Sequence, residues 1–253
     1  MITNVREERL LITSDTHIGS YFCNARPHLV PFLEYAAAGG YNVCFNGDGI
    51  DVLHTSLRKI TAETAALLAD TQRVLQKYPA LTIYYTVGNH DIILEHYMAE
   101  WSRMRLVPFL NVLSGDKRYR VEHGHLYDPF FIRHPDLQNA MTRFSYYLCR
   151  LHPAWYHWFK RYHTAKLRLK RRLFGGNVDE TLIEGGEGPA FVEAAGELAQ
   201  RGFDAVVFGH THNENVLPLK GTEAVYYNTG SWFGQPYYVE IDHGAIALKP
   251  WRI

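Results

Sequence analysis

No run of eighteen apolar residues occurs in the 253-residue sequence, and its charged start, MITNVREERLLITSD, leads into no apolar core with a small-residue cleavage site. A membrane span and a secretory leader are therefore not expected, and the chain reads as cytosolic. Cysteine is scarce: Cys23, Cys44 and Cys149 are odd in number, far apart and outside any CxxC spacing. That excludes a disulfide framework or a zinc knuckle and suits a reducing compartment. Net charge is absent too, 26 basic side chains balancing 26 acidic ones, so average charge selects no partner. With 47% apolar and 21% charged residues the composition excludes disorder. Histidine, by contrast, is abundant at 14 residues, and it is both the side chain that titrates near neutrality and the commonest metal ligand.

The length suits one large domain with an insertion rather than two domains. Apolar, β-branched runs predict strands over residues 9–14, 41–46, 81–87, 119–122 and 205–208, with further strands over 224–228, 237–241 and 246–248. Helices are predicted over 31–38, 60–77 and 190–201, each ended by glycine or proline. This order predicts an α/β (α+β) fold of mixed sheets flanked by helices.

Five of these strands run directly into polar clusters: Asp15-Thr16-His17, Gly47-Asp48-Gly49-Ile50-Asp51, Gly88-Asn89-His90-Asp91, His123-Gly124-His125 and Gly209-His210-Thr211-His212. Ligands of α/β sheets gather outside the carboxyl ends of strands, so five tips scattered along the chain can share one cleft. Alternate residues of an extended segment point the same way, which predicts that both ends of DxH and HxH face the site. Oxygen and imidazole donors without thiolate suit manganese, iron or zinc better than calcium or a structural zinc. A hydrolytic metal centre follows.

The ordered set DxH, GDxxD, GNHD, a histidine after a strand, and GHxH resembles the calcineurin-like metallophosphoesterase superfamily. The resemblance implies a four-layer sandwich of two mixed sheets flanked by helices, spanning residues 1–253 with a helical cap inserted at about 130–180. It implies two divalent ions, manganese first and iron or zinc as alternatives. Asp15, His17 and His212 would hold one, Asn89, His123 and His210 the other, and Asp48 would bridge them. His90 would be the catalytic histidine, oriented by Asp91, with Asp51 orienting a ligand. A metal-bridging hydroxide would attack a phosphodiester or pyrophosphate. The Asn228-Thr229-Gly230-Ser231-Trp232 run is expected to support the ligand loops, and His125 can point into the cleft or away from it.

Acidic residues are missing altogether from residues 137–178, a stretch rich in arginine, lysine and aromatics. Trp155, Trp158, Phe159 and Tyr162 share one side of a helix at spacings of three and four, and Arg161, Lys166 and Arg168 add positive charge. Such basic amphipathic helices suit an anionic membrane surface. The placement is similar to the cap of the UDP-2,3-diacylglucosamine pyrophosphohydrolases of lipid A synthesis, which implies a lipid-linked substrate, a site on the inner leaflet, and Trp155, Phe159, Arg161, Lys166 and Arg168 as substrate contacts. Those enzymes carry arginine at the position of His90, aspartate at that of His125 and tryptophan near Val52-Leu53-His54, so this chain reads as a relative with its own substrate. A nuclease, a cyclic-nucleotide phosphodiesterase or a broad-specificity phosphatase would use the same metals, nucleic acid then lying along the basic helices. A non-enzymatic scaffold would have lost ligands, and here all are filled.

Overall fold

The computed structural model describes residues 3–21, 23–52, 55–97, 100–101, 104–152, 154–155, 158 and 187–252. The strands are β1 Thr3–Arg6, β2 Arg9–Thr13, β3 Asn42–Asn46, β4 Ile83–Thr86, β5 Glu100–Trp101, β6 Met104–Val107, β7 Leu110–Ser114, β8 Lys117–Val121, β9 Ala205–Phe208, β10 Asn215–Pro218, β11 Val225–Asn228, β12 Tyr237–Asp242 and β13 Ala245–Pro250. They form two mixed sheets, one in the order β1-β7-β8-β9-β11-β10 and the other β13-β12-β2-β3-β4-β6-β5. The helices are α1 Arg26–Ala38, α2 Leu57–Lys77, α3 Pro129–Arg133, α4 Pro135–Leu151 and α5 Pro189–Gln200.

Strand alternation builds the layers. Along β2, Leu10 and Ile12 enter the core between the sheets while Leu11 faces the helix-side core with Leu29, Phe32 and Leu33 of α1. In β9, Ala205 and Val207 join the inter-sheet core, and Val206 and Phe208 pack with Phe191 and Leu198 of α5. Strands with two buried faces need apolar residues at every position, which is why RLLIT, NVCFN and AVVF read as continuous runs. Three apolar seams thus separate four layers: α1 with α2, one sheet, the other sheet, and α5.

The sequence expectation started α1 at Pro31, yet the helix begins at Arg26 and carries Pro31 inside. The buried face Leu29, Phe32, Leu33, Ala36 begins before the proline, so packing fixes the start that proline chemistry alone would have placed later. Five strands were not expected. β7 and β10 alternate buried and half-exposed or exposed residues over only five and four positions, β1 and β6 are four residues long and β5 two, too short for a clear period.

Parallel pairing sets strand ends level. Thr13 lies opposite Phe45 and Asn46 opposite Thr86, while Val121 of the other sheet lies opposite Val207. Asn46 ties the sheets together there, its Nδ2 donating to Glu122 O at 2.9 Å and its Oδ1 accepting from Thr86 Oγ1 at 2.7 Å. Five polar loops leave this common edge. α3 and α4 lie between β8 and β9 in the chain. No helix among the described residues is long and apolar enough to cross a membrane.

Candidate metal centre

The loops converge on Asp48, a buried carboxylate whose Oδ2 lies 3.3 Å from His123 Nε2, 3.8 Å from His17 Nε2 and 3.9 Å from His90 Nε2. Three sets of donor atoms are close enough to share an ion: Asp15, His17 and His212; Asp48, His123 and His210; and His17, Asp48 and His90. Asn89 completes the second, its Oδ1 standing 2.9 Å from His210 Nδ1 and 3.3 Å from His123 Nε2. All seven expected ligands are therefore brought together.

They converge for a different reason from the one expected. Asp15, His17, Asp48, His210 and His212 all have left-handed backbones, with φ between 44° and 67°. DxH and HxH are thus double kinks rather than extended segments, and Thr16, between the first pair, ties back to Gly49 O at 2.8 Å. Non-glycine residues are rare in this region, and clusters of them mark functional sites. Hydrogen bonds to the Asn228–Trp232 run hold the kinks: Ser14 Oγ meets Thr229 Oγ1 at 2.5 Å and Trp232 N donates to Asp15 O at 3.2 Å.

The tautomers follow from the outer partners. Asn46 O can only accept, so His123 donates to it from Nδ1 at 2.9 Å and turns the Nε2 lone pair inward. Asp128, whose carboxyl is held below its usual range by His210 against the opposing effect of burial, accepts from His210 Nε2 at 3.0 Å and leaves the Nδ1 lone pair inward. Two lone pairs, Asn89 Oδ1 and Asp48 Oδ2 then face one another. Asp15 Oδ1 and Asp51 Oδ2 are also buried and make no hydrogen bond. The titration of His123 carries the same signature: burial opposes its charge, yet Asp48 and Asp15 raise it to about 9. Acceptors crowded in this way call for positive charge among them, as protons or as cations. The residues present fit divalent ions.

Asp128 was not among the expected site residues; its only sequence signal is the Asp-Pro pair that opens α3, where it also caps Phe130 N at 2.8 Å. A carboxylate that orients a ligand histidine usually matters about 10- to 100-fold for metal affinity. Asp128→Asn is expected to weaken manganese binding within that range, read by titration of ion-stripped protein; an unchanged affinity would remove Asp128 from the centre. Glu187 was missed as well. Fully buried, it accepts from Thr211 Oγ1, Tyr226 OH and Asn228 Nδ2 at 2.9 to 3.2 Å and so anchors the GHTH loop.

Asp91 does not orient His90. Its oxygens accept from Gly88 N at 2.7 Å, Gly49 N at 2.9 Å and the Tyr85 hydroxyl, bracing two ligand loops. Burial and the charge of Asp48 raise it to about 6. Among the described residues it is Asp51 that faces the His90 Nδ1, with Oδ1 at 3.3 Å, and the other oxygen of Asp51 is 3.6 Å from His17 Nδ1. Burial works against the Asp51 charge, but His17 and His90 hold it down to about 2. His125 points inward: it is buried, its ring is 5.5 Å from that of His123, and neither nitrogen has a hydrogen-bond partner among the described residues. Trp155 is exposed, and its ring contact among the described residues is with Trp158 at 5.7 Å. Phe159, Arg161, Lys166 and Arg168 lie outside the described residues.

Close backbone approach explains the glycine of GNHD. A Cβ on Gly88 would overlap Asp48 Oδ1 and stand 2.5 Å from Asp48 N. Gly88→Ala must therefore displace the central carboxylate; overpacking of this kind costs about 1–3 kcal/mol. A lowered urea midpoint together with lost manganese uptake is the expected result, and wild-type values in both would contradict this packing.

A profile of the calcineurin-like phosphoesterase family matches residues 8–214. No curated protein matches the chain. Distant likenesses among solved structures include a dimetal phosphatase from Danio rerio, 10% identical, covering 96% of this chain and 95% of that one at a TM-score of 0.46. Vacuolar Protein Sorting 29 from Cryptosporidium parvum is 14% identical, with 97% and 98% covered at 0.41, and a conserved uncharacterized protein from Streptococcus pneumoniae is 15% identical, with 96% and 88% covered at 0.36. The profile spans all five strand-end loops that carry the seven expected ligands and stops before the Asn228–Trp232 run, and on that match the chain belongs to the calcineurin-like phosphoesterase family, metal-dependent hydrolases of phosphoesters.

Proposed function

We propose that this protein hydrolyses a phosphodiester or pyrophosphate bond at a centre of two divalent ions. Asp15, His17 and His212 would hold one, Asn89, His123 and His210 the other, and Asp48 would serve both, with manganese the leading ion and iron or zinc the alternatives. The observation that carries this reading is the meeting of inward lone pairs from His123 and His210 with Asn89 Oδ1 and Asp48 Oδ2. Two bound cations would neutralise phosphoryl oxygens and acidify an attacking water. The protein's own side chains supply the rest. Asp51 accepts from His90 Nδ1 and so aims Nε2 over Asp48, where it can deliver a proton to the departing oxygen.

The substrate we favour is lipid-linked, as in UDP-2,3-diacylglucosamine, met at an anionic membrane surface by a cap over residues 130–180. Support comes from α4, where Leu137, Met141, Phe144 and Leu151 recur at helical spacing and are all exposed, Phe144 by 64% and Leu151 by 63%, and from the exposed Trp155 and Trp158 beyond its end. Soluble domains rarely leave so long an apolar stripe uncovered without a use for it. Arg133, Arg143 and Arg150 of α3 and α4 add the positive charge that such a surface attracts.

The test is a panel given to the manganese-loaded protein: an aryl phosphodiester, an aryl monoester, UDP-2,3-diacylglucosamine and single-stranded DNA. UMP released from the lipid at a rate well above any other turnover supports both statements. Diester turnover without lipid turnover removes the lipid, and failure on all four removes the hydrolase.

A further inference from the structure

Beside the candidate metal centre lies a cavity of about 350 Å³, lined by Tyr21, Thr55, Ser56, Arg143, Tyr146, Tyr147 and Arg150. Its lining is chemically one-sided. Every one of those side chains can donate a hydrogen bond, two are guanidinium forks, and none is a carboxylate. Helix α4 builds one wall, because Arg143, Tyr146, Tyr147 and Arg150 stand at spacings of three and four on a single face, next to the face that carries the apolar stripe. The opposite wall comes from the loop after His17 and the start of α2. Thr55 Oγ1 donates to Gly19 O at 3.0 Å, and Ser56 caps α2. Behind Tyr21, Lys59 Nζ sits 4.2 Å from the ring centre and adds a third positive charge.

Neither Arg143 nor Arg150 forms an ion pair among the described residues; the one charge contact of Arg150 is with the Tyr21 ring, 5.9 Å away. Two arginines gathered on a cavity with no acid among the described residues to neutralise them form an oxyanion receptor, and guanidinium forks match the oxygens of phosphate. The cavity adjoins the reacting end of the cleft. The Tyr146 ring is 6.2 Å from that of His90, and His90 Nε2 is 3.9 Å from Asp48 Oδ2. The rings of Tyr146 and His90 thus link the cavity to the position of a phosphoryl group at Asp48.

We infer that this cavity binds a second phosphate of the substrate, several bonds from the ester that is cleaved. The inference rests on the proposed hydrolysis at Asp48 and not on the lipid named above, whose two phosphates both flank the cleaved bond; it points to substrates that carry a further phosphate outside that bond. In such a substrate the two arginines fix the uncleaved phosphate, and this orients the scissile one towards His90.

Two synthetic esters that share a scissile bond test it: thymidine 5′-(4-nitrophenyl phosphate) and the same compound carrying a 3′-phosphate. The manganese-loaded wild type is expected to show a kcat/KM about tenfold or more higher for the 3′-phosphorylated ester, the scale of one charge-assisted hydrogen bond. That preference should reside in KM, weaken with salt and disappear in Arg143→Gln/Arg150→Gln, while Arg143→Lys/Arg150→Lys restores part of it. Equal kcat/KM for the two esters in the wild type, or a preference that survives the glutamine pair, would overturn the inference and leave hydrolysis at Asp48 standing. If neither ester turns over, the hydrolase reading fails by itself. The cavity is then judged by titrating the ion-stripped full chain with inorganic phosphate, where binding weakened about tenfold in the glutamine pair supports it and unchanged binding refutes it.

Discussion

Asp48→Asn is expected to strip the protein of its manganese and its phosphodiesterase turnover together, by more than the roughly 10- to 100-fold that loss of an outer-sphere partner costs. The side chain is buried, with three imidazole nitrogens within 3.9 Å of one oxygen. Its other oxygen accepts from His90 N at 2.8 Å. Asparagine has the same shape and keeps that second bond through its own carbonyl, so the GNHD loop stays in place. What changes is the charge. An amide N–H₂ then points at His17 and His123 where an anion faced them, and donors cannot hold a cation. The measurements are metal content of the purified variant and hydrolysis of an aryl phosphodiester. Thermal unfolding adds a third: ion at 100 times its Kd stabilises a native site by about 2.7 kcal/mol, and Asp48→Asn should gain far less. A variant that keeps its ions and its rate would remove the shared carboxylate from the centre.

Much of this centre is legible in the sequence, and the reason is topological. Buried parallel strands must be apolar throughout, so a sudden Asp-Thr-His or Gly-Asn-His-Asp after one marks its carboxyl end, where sites form. That logic identifies β2, β3, β4, β8 and β9 and the seven ligands on their tips. It does not reach the backbone conformation: five of those ligands are left-handed, and only the tolerance of Asp and His for that region hints at it. Nor does it reach partners that come from elsewhere in the chain. Asp128 and Glu187 meet the GHTH loop from 82 and 24 residues away. Proximity in sequence even misleads, since Asp91 adjoins His90 but serves the glycine loops, while Asp51, from the preceding motif, faces the ring. The cavity on α4 escaped for the same reason: its arginines gain meaning only when Tyr21, Thr55 and Ser56 are set opposite them.

His90→Ala is expected to keep the ions and lose about 10²- to 10⁴-fold in turnover, the range of general acid–base catalysis. The structure makes the outcome informative because His90 has two available roles. Its Nε2 is close enough to Asp48 and His17 to join them around an ion, and its Nδ1 is held by Asp51 as a positioned acid would be. A ligand role predicts that metal content falls with activity, whereas an acid predicts full metal content. The leaving group separates them further. 4-Nitrophenol departs without needing a proton, so a missing acid should matter little for nitrophenyl esters and most for alkyl esters, whose oxygen must be protonated as it leaves. Asp51→Asn should follow the same pattern more weakly, since the amide oxygen can still accept from the ring but without the carboxylate's charge-assisted bond. Equal losses on both kinds of ester, with ions retained, would mean that His90 stabilises phosphoryl charge and does not deliver the proton.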